Sequence, residues 1–307
     1  MAEPTAFLFP GQGAQAVGMG AAAYASSPAA RAVFDEADDV LGIALSRIVL
    51  EGPAEELVRS HNAQPAILTV SVALLRAMEE RFGDAAPRPA FAAGHSLGEY
   101  TALVAAGALD LATALRLVRR RGELMQAACD ATPSGMAALL GLRLEPAQEA
   151  CEGTGAQVAN VNSAEQIVIG GPTDALERAV ARAKDAGARR AIPLEVAGAF
   201  HTEVMRPAQD GMDEALAEVD FAPPRIPVVA NMTGEPMSTV DEVRRELSQQ
   251  LCGCVYWQQS VEYMAGAGAV RFVELGPGGV LSGLVRRIAG SAEAVAVTDL
   301  DALSALT

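Results

Sequence analysis

Three glycine-rich turns, each directly after a short apolar run, set the strongest limit on how this chain can fold. The turns cover residues 11–13, 94–98 and 276–279, and the apolar runs before them cover residues 6–9, 89–93 and 270–275. Short apolar runs bounded by such turns are typical of buried strands in a parallel sheet. The carboxyl ends of parallel strands meet at one edge, where sites in this fold class lie. We therefore expect the three turns to line one crevice.

The order of predicted elements indicates an α/β fold with two parts. Strands alternate with helices through most of the chain, as in a parallel sheet covered by helices on both faces. Residues 133–198 have the order βαββαβ, which is the pattern of a ferredoxin-like unit. We predict a large α/β hydrolase-like domain formed by residues 1–132 and 199–307, with residues 133–198 inserted as a small ferredoxin-like subdomain.

A long helix is predicted over residues 66–82 by the spacing of its apolar residues. Pro65 stands directly before it, where proline is well tolerated because the first N–H groups of a helix have no partner within the helix. The polar residues that precede Pro65 predict a loop, and His61 lies in it.

Charge and hydropathy exclude several classes of partner. The chain has 23 basic and 38 acidic residues, so its net charge is −15, which argues against nucleic acid because that needs a basic face. No uncharged apolar run reaches the roughly 18 residues that a membrane span needs, so no membrane association is expected. The start of the chain has no basic segment typical of a signal peptide, which predicts a cytoplasmic protein.

Residues 94–98 read Gly-His-Ser-Leu-Gly and fit the G-x-S-x-G pattern of a nucleophile elbow. In such an elbow a sharp turn from strand to helix exposes the serine hydroxyl and directs the helix N-terminus at developing negative charge. The pattern is short, so a purely structural turn is the alternative. Its place after a predicted strand and before a predicted helix favours Ser96 as a nucleophile.

A serine nucleophile needs a base, and the chain has three histidines. His95 is adjacent to the serine and is expected to pack or hydrogen-bond within the turn, while His61 falls in the predicted loop. His201 lies where the small subdomain returns to the large one, and by elimination it is the candidate base. No Asp or Glu follows it in an obvious orienting position, so a backbone or amide oxygen could fix its tautomer instead.

Six short motifs occur in the order found in one enzyme family. They are residues 9–13, 94–100, 121–122, 198–201, 250–251 and 274–278. From about residue 5 to 290 the chain resembles the malonyl-CoA:acyl carrier protein transacylases and the related acyltransferase domains of polyketide synthases. Each motif alone is weak, but six in order at compatible spacing make a specific resemblance.

The resemblance implies a role for each residue of the reaction centre. Ser96 would carry the acyl group, and His201 would act first as base and then as acid. The backbone N–H groups of Gln12 and Leu97 would form the oxyanion hole, which is typically worth roughly 3–4 kcal/mol per donor. Gln250 would orient His201 through its main-chain oxygen.

The resemblance also implies residues that hold the substrate. Arg121 would pair with the free carboxylate of malonate, a planar group to which guanidinium offers two parallel donors. The alternative is a solvated helix residue, because two more arginines precede it and three in a row cannot all face inward. Gln64 and Phe200 would lie at the acyl pocket, and the bulk of Phe200 is typical of malonyl-selecting relatives.

The implied reaction moves a malonyl group from malonyl-CoA to an acyl carrier protein through an acyl-serine, with no metal or redox cofactor and with a monomeric enzyme. Arg189, Arg190, Arg286 and Arg287 are candidates for a local patch that meets the acidic carrier, although scattered solvated arginines are an equal alternative. A serine hydrolase with the same elbow, and a binding subunit with an inactive site, are the other functions considered.

Overall fold

The structure is a computed structural model that describes residues 3–306. The predicted large domain also includes Met1, Ala2 and Thr307, which lie outside the described residues. The strands run in chain order as β1 (Thr5–Phe9), β2 (Pro89–Gly94), β3 (Ser134–Leu140), β4 (Gln157–Ser163), β5 (Gln166–Pro172), β6 (Arg190–Pro193), β7 (Val228–Val229), β8 (Pro236–Met237), β9 (Arg271–Leu275) and β10 (Glu293–Val297).

Helices occupy most of the chain between these strands. They are α1 (Ala21–Ser26), α2 (Pro28–Leu41), α3 (Leu45–Glu51), α4 (Ala54–Leu57), α5 (Ser60–Phe82), α6 (Gly98–Ala105), α7 (Leu111–Ala131), α8 (Leu144–Cys151), α9 (Thr173–Asp185), α10 (Arg206–Ala217), α11 (Val240–Gln249), α12 (Trp257–Gly266) and α13 (Val280–Ile288), with short 3-10 turns at Gly83–Ala85, Glu203–Met205 and Asp301–Leu306. Local signals set several helix starts. Ser27 caps α2, Asp110 caps α7, and Thr239 forms a capping box with Glu242 at α11.

The large sheet has six strands in the order β10-β9-β1-β2-β7-β8, and all neighbours are parallel except β7 and β8. The three glycine-rich turns follow β1, β2 and β9, which are adjacent strands. Their carboxyl ends therefore lie side by side, and the turns meet at one edge of the sheet, as expected from the sequence.

Both faces of this sheet are buried. In β1, Phe7 and Phe9 enter the core cluster that includes α2, α5 and α7, whereas Ala6 and Leu8 enter a second cluster with α12 and α13. Alternate residues of a strand point to opposite faces, so one apolar strand serves two cores. This explains why β1 is a continuous apolar run without alternation.

The second sheet is antiparallel and has the order β4-β5-β3-β6. With α8 and α9 it forms the βαββαβ unit, which packs its own apolar core. The predicted fold class, an α/β protein with a parallel sheet and a separate small sheet, is confirmed. The division into domains at residues 132/133 and 198/199 stays a prediction.

The expected start of the long helix at Pro65 is wrong, and so is the loop around His61. Helix α5 begins at Ser60 and contains both residues. A proline at this position leaves the carbonyl of His61 without its helical donor. Arg119 of α7 donates to that carbonyl through Nη1 at 3.0 Å. A contact from another helix therefore satisfies the group that Pro65 leaves unpaired.

Within residues 3–306, no helix combines the length and the apolar character needed to cross a bilayer. The same residues contain no group of three or more His, Cys, Asp or Glu side chains arranged to hold a metal ion.

Helices α5 and α7 approach closely at Gly122. A Cβ atom at this position would lie 2.6 Å from the Cα of His61 and 2.6 Å from the carbonyl oxygen of Ser60. Both are backbone atoms, so a side-chain rotation cannot relieve the overlap. The close approach also fixes the start of α5 relative to Arg121, the residue directly before this glycine.

Gly122→Ala should therefore lower the free energy of unfolding by about 1–3 kcal/mol, the usual cost of overpacking, or by more. The matched control is Gly283→Ala in α13, where an added Cβ meets no atom within 4 Å. That change should raise stability by about 0.5–1 kcal/mol, since alanine favours a helix interior. Urea unfolding followed by circular dichroism measures both. Equal effects of the two changes would contradict the close-contact explanation.

Candidate active site

The turn between β2 and α6 holds Ser96 in a left-handed backbone conformation, with φ 52°. Residues with a side chain rarely adopt this region, so it marks a constrained position. Glycines on either side make the turn possible. A Cβ at Gly94 would lie 1.9 Å from the carbonyl of Gly98, and one at Gly98 would lie 2.0 Å from the carbonyl oxygen of Phe9. The G-x-S-x-G spacing thus follows from backbone contacts with the turn itself and with β1.

Asn231, two residues after the neighbouring strand β7, holds this turn. Its Oδ1 accepts from the backbone N–H of Ser96 at 2.6 Å, and its Nδ2 donates to the carbonyl of Gly94 at 2.7 Å. The side chain is buried, so both bonds lie away from water. One carboxamide therefore stabilises the strained backbone by pairing a donor and an acceptor of the same turn.

His201 follows the small sheet and reaches Ser96. Its Nε2 lies 2.7 Å from the hydroxyl oxygen of Ser96, and its Nδ1 lies 2.9 Å from the main-chain oxygen of Gln250. A carbonyl oxygen can only accept, so Nδ1 carries the proton and Nε2 has a free lone pair toward the hydroxyl. Burial, and next the charge of Arg121, lower the pKa of His201 to about 3, so the imidazole is neutral.

Arg121 of α7 is buried beneath the hydroxyl of Ser96. Its Nη2 lies 3.1 Å from Ser96 Oγ and 2.9 Å from Gln250 Oε1, and its Nη1 donates to Gln64 Oε1 at 2.9 Å. Arg119 and Arg120, by contrast, pair with Glu123 at the surface of the helix. Of the three consecutive arginines, the one that faces inward is therefore Arg121, to which the family resemblance assigns the substrate carboxylate.

Gln12 lines the same cavity as Ser96, and Leu97 directly follows Ser96 in the chain. Gln12 lies in the turn after β1, and Leu97 is the N-cap residue of α6. Across residues 3–306, neither backbone N–H has a hydrogen-bond partner. The side chain of Gln12 is held by Ser60, to which its Nε2 donates at 3.1 Å. Unpaired N–H groups at a helix N-terminus, such as that of Leu97, favour the binding of negative charge. The oxyanion-hole roles of Gln12 and Leu97 stay predictions.

Ser96 and His201 open into a cavity of about 300 Å³. Its walls are largely apolar, with Phe200 among them, and its polar groups include Asn160, Asn162 and Gln166 of the small sheet. Gln64 lies deeper, fully buried behind Arg121 and also in contact with the sulfur of Met125. The predicted pocket roles of Phe200 and Gln64 stay predictions.

Sequence reasoning gave no role to Asn231 or to the carboxyl group of Glu99. Glu99 is buried and accepts from the backbone N–H of Asn231 at 2.8 Å and from Gln250 Nε2 at 2.5 Å. The position of Asn231 carried a usable signal, because it directly follows the apolar run of residues 226–230, and sites in this fold class lie at the carboxyl ends of such strands. Nothing in the local pattern separates Glu99 from an ordinary first-turn acid of a helix.

The expectation that His95 bonds within its own turn is wrong. Its Nε2 lies 3.0 Å from Oδ1 of Asn162 in β4, and its ring packs against Trp257 with centroids 5.6 Å apart. Burial lowers the pKa of His95. This histidine therefore joins the elbow to the small sheet and does not face the serine hydroxyl.

The chain is similar to known acyltransferases in both sequence and structure. Residues 6–300 match the acyl transferase domain family. The malonyl CoA-acyl carrier protein transacylase of Escherichia coli is 45% identical over 304 residues, which are 98% of this chain and 97% of that protein. A crystal structure of an acyl carrier protein S-malonyltransferase from Vibrio cholerae has a TM-score of 0.95 and 41% identity, over 99% of this chain and 100% of that one.

A second solved structure contains a malonyl-transacylase in complex with its acyl carrier protein from a type II polyketide synthase. It has a TM-score of 0.94 and 40% identity, over 98% of each chain. The similarity therefore covers both sheets and every element that contributes to the serine site. On these matches in sequence and structure, the chain belongs to the acyl transferase domain family.

Proposed function

We propose that this protein transfers a malonyl group from malonyl-CoA to the phosphopantetheine thiol of an acyl carrier protein, through an ester on Ser96. One observation carries the proposal. The hydroxyl oxygen of Ser96 lies 2.7 Å from a neutral imidazole nitrogen of His201 and 3.1 Å from the guanidinium of Arg121. The same oxygen therefore meets a base and a group suited to a carboxylate. The transacylase names of its close relatives support this substrate class.

In the first half-reaction Ser96 Oγ attacks the thioester carbonyl while His201 Nε2 takes the hydroxyl proton. The carbonyl oxygen becomes an oxyanion, which the N–H groups of Gln12 and Leu97 stabilise. Collapse of this intermediate breaks the carbon–sulfur bond, and His201 returns its proton to the departing sulfur of coenzyme A. The main-chain oxygen of Gln250 holds the imidazolium in place during the step.

In the second half-reaction the carrier thiol replaces coenzyme A. His201 takes the thiol proton, the sulfur attacks the ester carbon, and the proton returns to Ser96 as the ester bond breaks. This is ping-pong chemistry, and the proton balance of each half closes on one imidazole without a metal or redox cofactor.

Arg121 selects the malonyl group by its free carboxylate. The guanidinium is buried, with an exposed fraction of 1%, and burial makes its pairing with an anion strong. Its Nη2 lies 3.1 Å from Ser96 Oγ, so this is the donor that a carboxylate bound beside the serine would meet. Phe200, which lines the cavity next to His201, occupies space that a branched acyl group would need.

The carrier approaches over the small sheet. Gln166 lines the cavity, and Arg287 donates to its Oε1 at 3.0 Å. Leu140 of β3 pairs with Gln166 on one side and with Arg190 on the other, so Arg190 lies two strands from the cavity. Of the four arginines considered from the sequence, we propose Arg190 and Arg287, which lie nearest to this path, as the ones that meet an acidic carrier. Arg189 is paired with Glu165, and Arg286 donates to a main-chain oxygen.

Incubation with malonyl-CoA should add one malonyl group to the protein, and Ser96→Ala should abolish the adduct. Addition of a carrier protein should then remove the adduct and malonylate the carrier. Intact-mass spectrometry measures both proteins, and free malonate is assayed in parallel. Malonate release without a carrier that is faster than transfer to the carrier would show a hydrolase instead.

Arg121→Ala should lower the efficiency of malonyl loading by about 100-fold or more, because a buried charge pair with the substrate is lost. Loading of acetyl from acetyl-CoA, which has no carboxylate, should fall far less. The matched control is Arg120→Ala, which removes the neighbouring, half-exposed arginine and should leave both rates near wild type. A similar loss for both acyl groups would mean that Arg121 does not bind the carboxylate.

The rate of Ser96 acylation should be constant from about pH 8 down to about pH 5. A base works only in its neutral form, and burial together with Arg121 lowers the pKa of His201 to about 3, so activity is lost only as the pH falls toward that value. Rapid quenching and mass spectrometry give the single-turnover rate. Glu246→Gln is the control, since burial raises the pKa of Glu246 to about 7. In that variant, a halved rate near pH 6.5, the ordinary histidine value, would contradict the neutral-imidazole site.

A further inference from the structure

Arg121 is a buried charge without a direct counter-ion. No carboxylate lies within salt-bridge distance of it among residues 3–306. It donates to neutral oxygens of Gln64, Gln250 and Ser96. The ring of Tyr100, another neutral group, lies 5.7 Å from the guanidinium carbon. An isolated buried charge is strongly unfavourable, so a compensating charge is expected nearby.

Glu99 of α6 is the acid placed to supply it. The side chain is fully buried, and its two oxygens face only donors. Oε1 accepts from the backbone N–H and the Nδ2 of Asn231 at 2.8 and 3.0 Å, and Oε2 accepts from Gln250 Nε2 at 2.5 Å. Burial, and next the charge of Glu246, raises the pKa of Glu99 well above its ordinary value, and the hydrogen bonds from Asn231 and Gln250 and the charge of Arg121 offset only part of that rise. Donors on both oxygens suit the carboxylate, since a protonated oxygen would need an acceptor.

The carboxamide of Gln250 lies between the two charges and has only one orientation that serves them. Its Nε2 donates to Glu99 and also to the main-chain oxygen of Ser96 at 3.0 Å, while its Oε1 accepts from Arg121. A flipped amide would set its N–H groups against the guanidinium and its oxygen against the carboxylate. The positive N–H end of the amide therefore faces Glu99, and its negative oxygen faces Arg121, so the amide links the two charges.

We infer that Glu99 is the counter-ion of Arg121, held one carboxamide away by Gln250, and that this spacing keeps the guanidinium free for the carboxylate of the substrate. The inference rests on the proposed function, in which Arg121 binds that carboxylate. A carboxylate in direct contact would stabilise the buried charge equally but would have to be displaced by each substrate. Glu99 touches no substrate and acts as a positioning residue through Gln250.

Glu99→Gln should lower the ratio of malonyl to acetyl loading by at least about ten-fold, which corresponds to about 1.4 kcal/mol. The new amide sets an N–H group against Gln250 Nε2, which disturbs the orientation that Arg121 requires. Loading of malonyl-CoA and acetyl-CoA is measured by intact mass over a range of donor concentrations. An equal loss for both donors would show a structural role only and would overturn the inference.

The matched control is Glu274→Gln. Glu274 is also a fully buried acid, and its oxygens accept from the N–H groups of Leu281 and Ser282 at the start of α13. Its loss should lower thermal stability but leave the malonyl to acetyl ratio within about two-fold of wild type. A ratio that falls as far as in Glu99→Gln would assign the effect to buried acids in general and overturn the inference.

The exchange Glu99→Gln with Gln250→Glu gives the sharpest test. It keeps one buried carboxylate and one carboxamide, but it moves the carboxylate into direct contact with Arg121. Thermal stability should recover above that of Glu99→Gln while the malonyl to acetyl ratio stays low. Recovery of the ratio would mean that the one-amide spacing does not matter. This variant also provides the comparison if Glu99→Gln does not fold.

Arg121→Ala, measured in the same assay, separates the two proposals. If Arg121→Ala lowers the malonyl to acetyl ratio and Glu99→Gln does not, the counter-ion inference fails and the proposed function stands. If Arg121→Ala leaves the ratio unchanged, the carboxylate-binding role fails and the inference fails with it.

Discussion

The hydrogen bond from His201 to the main-chain oxygen of Gln250 is the constraint on which the site depends. Gln250 is the C-cap residue of α11, and carbonyl groups at a helix C-terminus have no partner within the helix and carry partial negative charge. This carbonyl can therefore accept from Nδ1 of the imidazole, a part that a carboxylate takes in a serine protease. The same Gln250 oxygen also accepts from the backbone N–H of Gly253 at 3.2 Å, which fixes the direction of the carbonyl group.

A neutral acceptor changes the electrostatics of the base. With no carboxylate on Nδ1, the charge that acts most strongly on His201 is the guanidinium of Arg121, which disfavours a charged imidazole. The same guanidinium lies in hydrogen-bond contact with Ser96 Oγ and stabilises negative charge on that oxygen. A weaker base thus faces a more acidic hydroxyl, and one positive charge produces both effects. The second acyl acceptor is a thiol, which ionises more readily than a hydroxyl, so a weak base is sufficient to deprotonate it.

The sequence predicted the parts of the fold that local chemistry determines. The apolar runs and glycine turns gave β1, β2 and β9, and the elbow gave Ser96 with its helix. His201 followed by elimination, but its partner Gln250 followed only from the family resemblance, because a main-chain oxygen has no residue type to recognise. The bond of His95 to Asn162 and the bond of Arg119 to the His61 carbonyl could not be foreseen, since each depends on a neighbour brought close by the tertiary fold.

The arrangement of the two sheets separates the chemistry from the walls of the cavity. Ser96, Asn231 and Gln250 follow the strands of the large sheet or lie on its helices. Asn231 holds the turn of Ser96, and the main-chain oxygen of Gln250 holds His201. Asn160 and Asn162 of β4 supply part of the cavity wall. The sheets are joined close to the site by His95 with Asn162 and by the backbone pairing of β4 with Val255, five residues after Gln250. A substitution in the small sheet is therefore expected to change the shape of the cavity more than the hydrogen bond between Ser96 and His201.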